Sequence, residues 1–134
     1  MMVFIADDSD TVRERLITLL SEIEGAEVIG QARNHDEAIE GIRSLKPHVV
    51  ILDIQMPGGS GIDVLKEIKQ DGRPPVVLML TNHASPQYRK KCMEWGADFF
   101  LDKSREFESL ASILSSLVKQ YTSGGVGAAG PASV

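Results

Sequence analysis

A single cysteine, Cys92, in a chain of 134 residues excludes an internal disulfide framework. It is compatible with a reducing compartment, and its expected place is in the core rather than at a reactive site. Basic charge is scarce as well: 14 lysines and arginines stand against 19 aspartates and glutamates, a formal net charge of −5. That balance is not the electrostatic footprint of a nucleic-acid or anionic-membrane binder. No apolar run approaches the roughly 20 residues that a membrane-spanning helix needs. The opening Met1-Met2-Val3-Phe4-Ile5-Ala6-Asp7-Asp8 has no basic leader and turns acidic after a few apolar positions, unlike a secretory signal. Together these absences predict a soluble, cytoplasmic protein that contacts neither nucleic acid nor membrane through this segment.

What is present is an ordinary globular composition, 43% hydrophobic and 25% charged, which fits one domain and leaves little room for a second. Short apolar runs at residues 2–6, 26–32, 48–52, 76–80 and 98–101 read as strands. Several are apolar on both faces, as strands covered on both sides must be. The segments between them have helical spacing. Val12, Leu16, Leu19, Leu20 and Ile23 form one stripe, Ala38, Ile39, Ile42 and Leu45 a second, and Ile62, Leu65 and Ile68 a third. The clearest is the last: Phe107, Leu110, Ile113, Leu114, Leu117, Val118 and Tyr121. Asn34 with Glu37, and Ser85 before Pro86, mark helix starts. The pattern predicts an α/β fold, a doubly wound five-stranded parallel sheet, (βα)5, in the flavodoxin-like order 2-1-3-4-5. Periodicity alone does not choose between that order and the other common doubly wound form.

In either order the working residues belong at the carboxyl ends of the strands, beside the point where strand order reverses. Asp7 and Asp8 directly follow the first predicted strand, Asp53 ends the third, Thr81 the fourth, and Lys103 lies just beyond the fifth. Adjacent aspartates after a strand also serve as turn and cap, and a lone lysine or threonine is usually a solvated charge or a strand-end cap. The combination at four strand ends is not what turn chemistry produces. Three carboxylates brought together repel one another, so a divalent cation is the natural way for them to stay ionised. Oxygen donors point to Mg²⁺, and no histidine or cysteine stands where a zinc site would need one.

These residues resemble the receiver domains of bacterial two-component response regulators, over about residues 2–121. The matching pieces are Phe4-Ile5-Ala6-Asp7-Asp8, Val49-Val50-Ile51-Leu52-Asp53-Ile54-Gln55-Met56-Pro57 with Gly61, Leu80-Thr81, and Gly96-Ala97-Asp98 leading to Lys103. The resemblance implies that Asp53 is the phosphoacceptor for a sensor histidine kinase or phosphotransfer protein. It makes Asp8 a direct Mg²⁺ ligand, Asp7 a ligand largely through water, and the Gln55 backbone carbonyl the last protein donor. Thr81 and Lys103 contact the phosphoryl group, Gln55 and His83 flank it and tune its hydrolysis, and Thr81 with Phe100 forms the switch. Signalling then goes to an effector protein or a second receiver through the fourth helix, fifth strand and fifth helix. The domain is not an enzyme beyond its own phosphorylation and dephosphorylation.

Two departures stand out. Receivers commonly have proline after the lysine, with a cis peptide before it. Here Ser104 follows, and a non-proline cis bond costs about 2.5–4 kcal/mol, so a trans Lys103–Ser104 peptide is expected. At the aromatic position Phe100 stands beside Phe99, and strand alternation puts them on opposite faces. Phe100 is expected to start exposed and turn inward on phosphorylation, with Trp95 near the end of the fourth helix as a fluorescence reporter. Arg89-Lys90-Lys91 reads as a solvated helix face. Residues 122–134, rich in glycine and alanine, read as a flexible tail or the start of a linker. Two other functions are weaker. A small-molecule phosphohydrolase with an aspartate nucleophile generally has a second aspartate where Gln55 stands. A pseudo-receiver that serves only for docking should have lost Asp53, Lys103 or the acidic pair, and all are present.

Overall fold

Strands and helices alternate through residues 1–121, the residues that the computed structural model describes. The tail expected at 122–134 lies outside the described residues. The elements are β1 (Met2–Ala6), α1 (Asp10–Ser21), β2 (Glu27–Ala32), α2 (His35–Leu45), β3 (Val49–Leu52), α3 (Gly61–Ile68), β4 (Val76–Thr81), α4 (Pro86–Glu94), β5 (Phe99–Asp102) and α5 (Phe107–Lys119). All pairings are parallel, in the order β2-β1-β3-β4-β5.

The two-residue period of the strands divides the core in two. Phe4, Val50, Leu52, Val77, Met79 and Phe100 point to one face, where Ala38 and Ile42 of α2, Leu65 and Ile68 of α3, and Cys92 of α4 cover them. Val3, Ile5, Val49, Ile51, Leu78 and Leu101 point to the other, under Leu16 and Leu20 of α1 and Leu110, Leu114 and Leu117 of α5. Each fully buried aliphatic side chain contributes about 1.5–3 kcal/mol. Space for the Phe4 ring comes from glycine: a Cβ at Gly30 or Gly41 would stand 2.8 or 2.6 Å from it. Ser9, Asn34, Ser60 and Ser85 each accept a backbone N–H in the first turn of α1, α2, α3 and α4, so the two helix starts read at Asn34 and Ser85 are both found.

The differences lie at element ends. β2 begins at Glu27 and β3 at Val49, one residue inside the expected ranges, while β4 gains Thr81, whose partner in β5 is Asp102. Asp98 is not in β5. Its carboxylate instead accepts the Val77 N–H at 2.8 Å and the Lys69 ammonium at 2.9 Å, tying the start of the strand to β4 and α3. Ile23 and Tyr121 continue their stripes past the helix ends, and Tyr121 stacks on His48 with ring centroids 4.7 Å apart.

His48, just before β3, accepts the Met2 N–H on Nδ1 at 2.9 Å. Burial, assisted by the N-terminal ammonium, holds its pKa below the ordinary 6.5. The native state therefore binds fewer protons than the unfolded chain. This contribution to stability is complete above pH 6.5 and is lost as pH falls through 6.5 toward the lower native pKa. Thermal melting followed from pH 7.5 downward should show a decline in Tm below that value that is shallower in His48→Gln. Parallel profiles for the two proteins would show that His48 is not its source.

Candidate functional site

The backbone ladder runs one step beyond the strands and fixes the residues that follow them. Asp7 N–H donates to the Ala32 carbonyl, Asp53 N–H to the Ala6 carbonyl and Lys103 N–H to the Thr81 carbonyl, at 3.0, 3.0 and 2.9 Å. The carboxyl ends of β1, β3, β4 and β5 thus lie along one edge of the sheet; Asp7, Asp8, Asp53 and Lys103 come together there, and Thr81 is joined to Lys103 through its backbone carbonyl.

Lys103 stands at the centre. Its ammonium lies 2.7 Å from Asp7 Oδ2 and 3.0 Å from Asp53 Oδ2, with all three side chains at least nine-tenths buried. Burial alone pulls the lysine pKa down. The hydrogen bond to Asp7, the charge and hydrogen bond of Asp53, and the charge of Asp7 together outweigh it and hold Lys103 above its ordinary value, so it is cationic throughout the physiological range. The remaining oxygens are held by backbone: Asp53 Oδ1 accepts the Ile54 N–H at 2.7 Å and Asp7 Oδ1 the Ser9 N–H at 2.9 Å. Asp8 is exposed at the rim. Carboxylate oxygens of Asp7, Asp8 and Asp53 lie within 4.8 Å of one another, a hard-oxygen set suited to Mg²⁺ or Ca²⁺ rather than to zinc.

Thr81 is fully buried, and its Oγ1 accepts the His83 N–H at 3.0 Å. Gln55, in the loop after β3, and His83, in the loop after β4, are exposed. All peptide bonds among the described residues are trans, Lys103–Ser104 included. The loop after Lys103 is built from Asp102, whose Oδ1 accepts both the N–H and the hydroxyl of Ser104, at 2.8 and 2.7 Å. Phe100 and Phe99 do lie on opposite faces, but the expectation of an exposed Phe100 is corrected. Phe100 is only 4% exposed, in the same core cluster as Met79 and Cys92, and its ring is covered by the Arg89 guanidinium at 4.9 Å from its centroid. Sequence alone placed the residue on the correct face but could not supply a rotamer. Trp95 is 40% exposed, with the Lys66 ammonium 4.8 Å from its ring centre. Cys92 is buried and its thiol pushed up to about 11, which makes it a packing residue.

Arg13 is the residue that sequence reasoning missed. It is buried, donates from Nη1 to the Asp7 carbonyl at 2.6 Å and from Nε to Gln31 Oε1 at 3.1 Å, and pairs with Asp10. The signal was there: Arg13, Leu16 and Leu20 share one helical stripe, and a charge among buried positions needs a partner. A cleft of about 920 Å³ lies at the opposite edge among Arg43, Lys46, His48, Arg73 and Tyr121. It contains no comparable carboxylate cluster. A depression of about 450 Å³ opens beside Asp8 and is lined also by Gln55, Met56 and Tyr88, among others.

The profile of the response regulator receiver domain matches residues 3–115. The chain belongs to that family. A transcriptional regulatory protein of Bacillus subtilis, YvfU, is 38% identical over 117 residues, covering 87% of this chain and 58% of that protein. A response regulatory protein of Vibrio cholerae is 39% identical over 121 residues, covering 90% and 50%. The chain therefore spans about half the length of these curated relatives. Among solved structures, the response regulator domain of Thermotoga maritima CheB superposes with a TM-score of 0.78 at 28% identity, covering 90% of this chain and 94% of that one. A LuxR-family DNA-binding response regulator of Staphylococcus aureus gives 0.80 at 29%, covering 87% and 98%. A chain of the CheX-CheY-BeF3-Mg²⁺ complex of Borrelia burgdorferi gives 0.74 at 27%, covering 85% and 89%. No helix among the described residues of this receiver domain is long and apolar enough to cross a membrane.

Gly61 sits hard against the site. A Cβ there would be 1.8 Å from the Asp53 carbonyl oxygen, and the Gly61 N–H donates to the Ile54 carbonyl at 2.6 Å. Gly61→Ala must push α3 away from Asp53, and should cost about 1–3 kcal/mol in denaturant unfolding. Unchanged stability would mean that the loop yields freely and does not fix Asp53.

Proposed function

We propose that this receiver domain, residues 2–121, takes a phosphoryl group on Asp53 from a sensor histidine kinase or phosphotransfer protein in a Mg²⁺-dependent reaction, and that the modification switches its signalling surface. The observation that carries this reading is the Lys103 ammonium shared by Asp7 and Asp53, with the Asp8 carboxylate close to both. A carboxylate attacking a phosphoryl group approaches a negatively charged electrophile, so positive charge must already be in place. Lys103 supplies part of it. Asp7, Asp8, Asp53 and the Gln55 carbonyl are the residues that would hold Mg²⁺, whose presence in the Borrelia complex supports this reading. When bound, Mg²⁺ offsets the charge of the phosphoryl oxygens.

The Asp53 oxygen displaces the leaving group and becomes an acyl phosphate, which water cleaves, so the mark is transient. Gln55 and His83, both exposed, tune access of that water. The domain thereby acts on itself and not on a separate substrate. The Thr81 hydroxyl donates to a new phosphoryl oxygen and moves inward. In this structure Phe100 lies inside under Arg89, and phosphorylation acts by changing the population of that inward rotamer. The responding surface is α4, β5 and α5, which binds an effector protein or a second receiver. A cytoplasmic location, with no nucleic-acid contact by this segment, accords with the acidic composition.

Incubation with Mg²⁺ and a small phosphodonor, followed by intact-mass analysis, should show a single added phosphoryl group. The group should be absent when Mg²⁺ is chelated and absent in Asp53→Ala. Undiminished labelling of Asp53→Ala would refute the assignment.

A further inference from the structure

Asp8 is the least supported member of the acidic set. Asp7 and Asp53 are buried, share the Lys103 ammonium, and each has its other oxygen held by a backbone N–H. Asp8 is exposed, and its carboxylate has no hydrogen bond or ion pair among the described residues. Its place beside the other two acids is therefore set by the main chain that carries it. The peptide unit joining Asp7 to Asp8 is planar, so whatever fixes its carbonyl also fixes the point from which the Asp8 side chain departs.

Arg13 is the group on that carbonyl, with Nη1 2.6 Å from the Asp7 oxygen in a buried contact. The guanidinium is braced on its other nitrogens: Nε donates to Gln31 Oε1 on β2 at 3.1 Å, and Nη2 pairs with Asp10 in the first turn of α1. Its stem lies on the buried stripe of α1 with Leu16 and Leu20. A planar fork held at two nitrogens gives the third a fixed aim. The Asp10 carboxylate offsets the guanidinium charge, so what Arg13 brings to the site is geometry rather than a further cation. We propose that Arg13 is a positioning residue for the cation site: it fixes the peptide plane between Asp7 and Asp8, and through that plane keeps the Asp8 carboxylate beside those of Asp7 and Asp53. The inference rests on these three acids being the cation site.

Without the guanidinium the buried Asp7 carbonyl loses its donor, and the plane turns to find another. Asp8 then samples positions away from the set, and each cation that binds must first bring it back, which weakens affinity by the cost of that ordering. Groups that orient metal ligands from behind are typically worth about 10–100-fold in affinity. Arg13 belongs at the lower end of that range, because Asp8 is one ligand of several and Mg²⁺ retains waters of its own.

Mg²⁺ alone, titrated without a phosphodonor and followed by backbone amide NMR signals, tests the role. The dissociation constant should rise about tenfold in Arg13→Met, which keeps an unbranched apolar stem on the α1 stripe. In an Asp8→Ala background the same change should have little further effect, because no carboxylate is left to position. That comparison separates positioning from damage, since a general loosening of α1 weakens binding by the same factor in both backgrounds. Gln31 is exposed, so Gln31→Ala keeps the fold while removing the brace on Nε, and should raise the dissociation constant by a smaller factor. Unchanged affinity in Arg13→Met, or in Gln31→Ala should Arg13→Met not fold, overturns the inference, as does an equal loss with and without Asp8. Failure of the parent to bind Mg²⁺ overturns the cation site itself.

Discussion

Two buried carboxylates share one ammonium at the carboxyl edge of the sheet, Asp7 at 2.7 Å and Asp53 at 3.0 Å from Lys103 Nζ, and most of the local structure follows from keeping that arrangement in place. Removing Lys103 would leave both buried carboxylates without their shared counter-charge, at a cost of about 3–5 kcal/mol. Three chain segments far apart in sequence are therefore bound to a single geometry. The compensation is incomplete: one lysine faces two buried aspartates, with Asp8 close by, and the excess is negative. A site with a fixed local deficit of positive charge, open on one side, is ready for a cation and for an anion that arrives with it.

The parallel sheet makes this possible. Its strands end together, and their last hydrogen bonds extend to Asp7, Asp53 and Lys103. Because β3 and β4 are covered on both faces, a shift of Thr81 at the end of β4 meets packed side chains rather than solvent. Phe100 lies in the same layer as Met79, Cys92 and Ala97, with Arg89 over its ring. Met79, two residues before Thr81 in β4, is the register partner of Phe100, and Arg89 of α4 lies over the Phe100 ring.

Much of this was legible in the sequence, for identifiable reasons. Strand and helix spans followed from periods of two and three to four, and strand ends located the site because a parallel sheet gathers them. Strand alternation placed Phe99 and Phe100 on opposite faces. The remainder depended on information that periodicity does not carry. The rotamer of Phe100 is set by packing against Arg89, which is eleven residues away in sequence. Asp98 adjoins an apolar run and its N–H donates to the Val77 carbonyl, but its carboxylate takes the Val77 N–H and the Lys69 ammonium, and β5 begins only at Phe99. Arg13 was overlooked because arginine on a helix is usually solvated. Its partner, the Asp7 carbonyl, is a main-chain atom that no side-chain pattern reveals.

The central claim is that Asp7, Asp8 and Asp53 form one cation site whose charge Lys103 only partly balances. Thermal unfolding with and without Mg²⁺, in the parent and in Asp53→Asn, tests it most directly. A cation that binds the native state selectively adds about 2.7 kcal/mol at a hundred times its Kd. The account predicts that Mg²⁺ raises the Tm of the parent clearly, that Asp53→Asn is more stable than the parent when Mg²⁺ is chelated, and that Mg²⁺ then adds little to the variant. Equal stabilisation of both proteins by Mg²⁺ would contradict it.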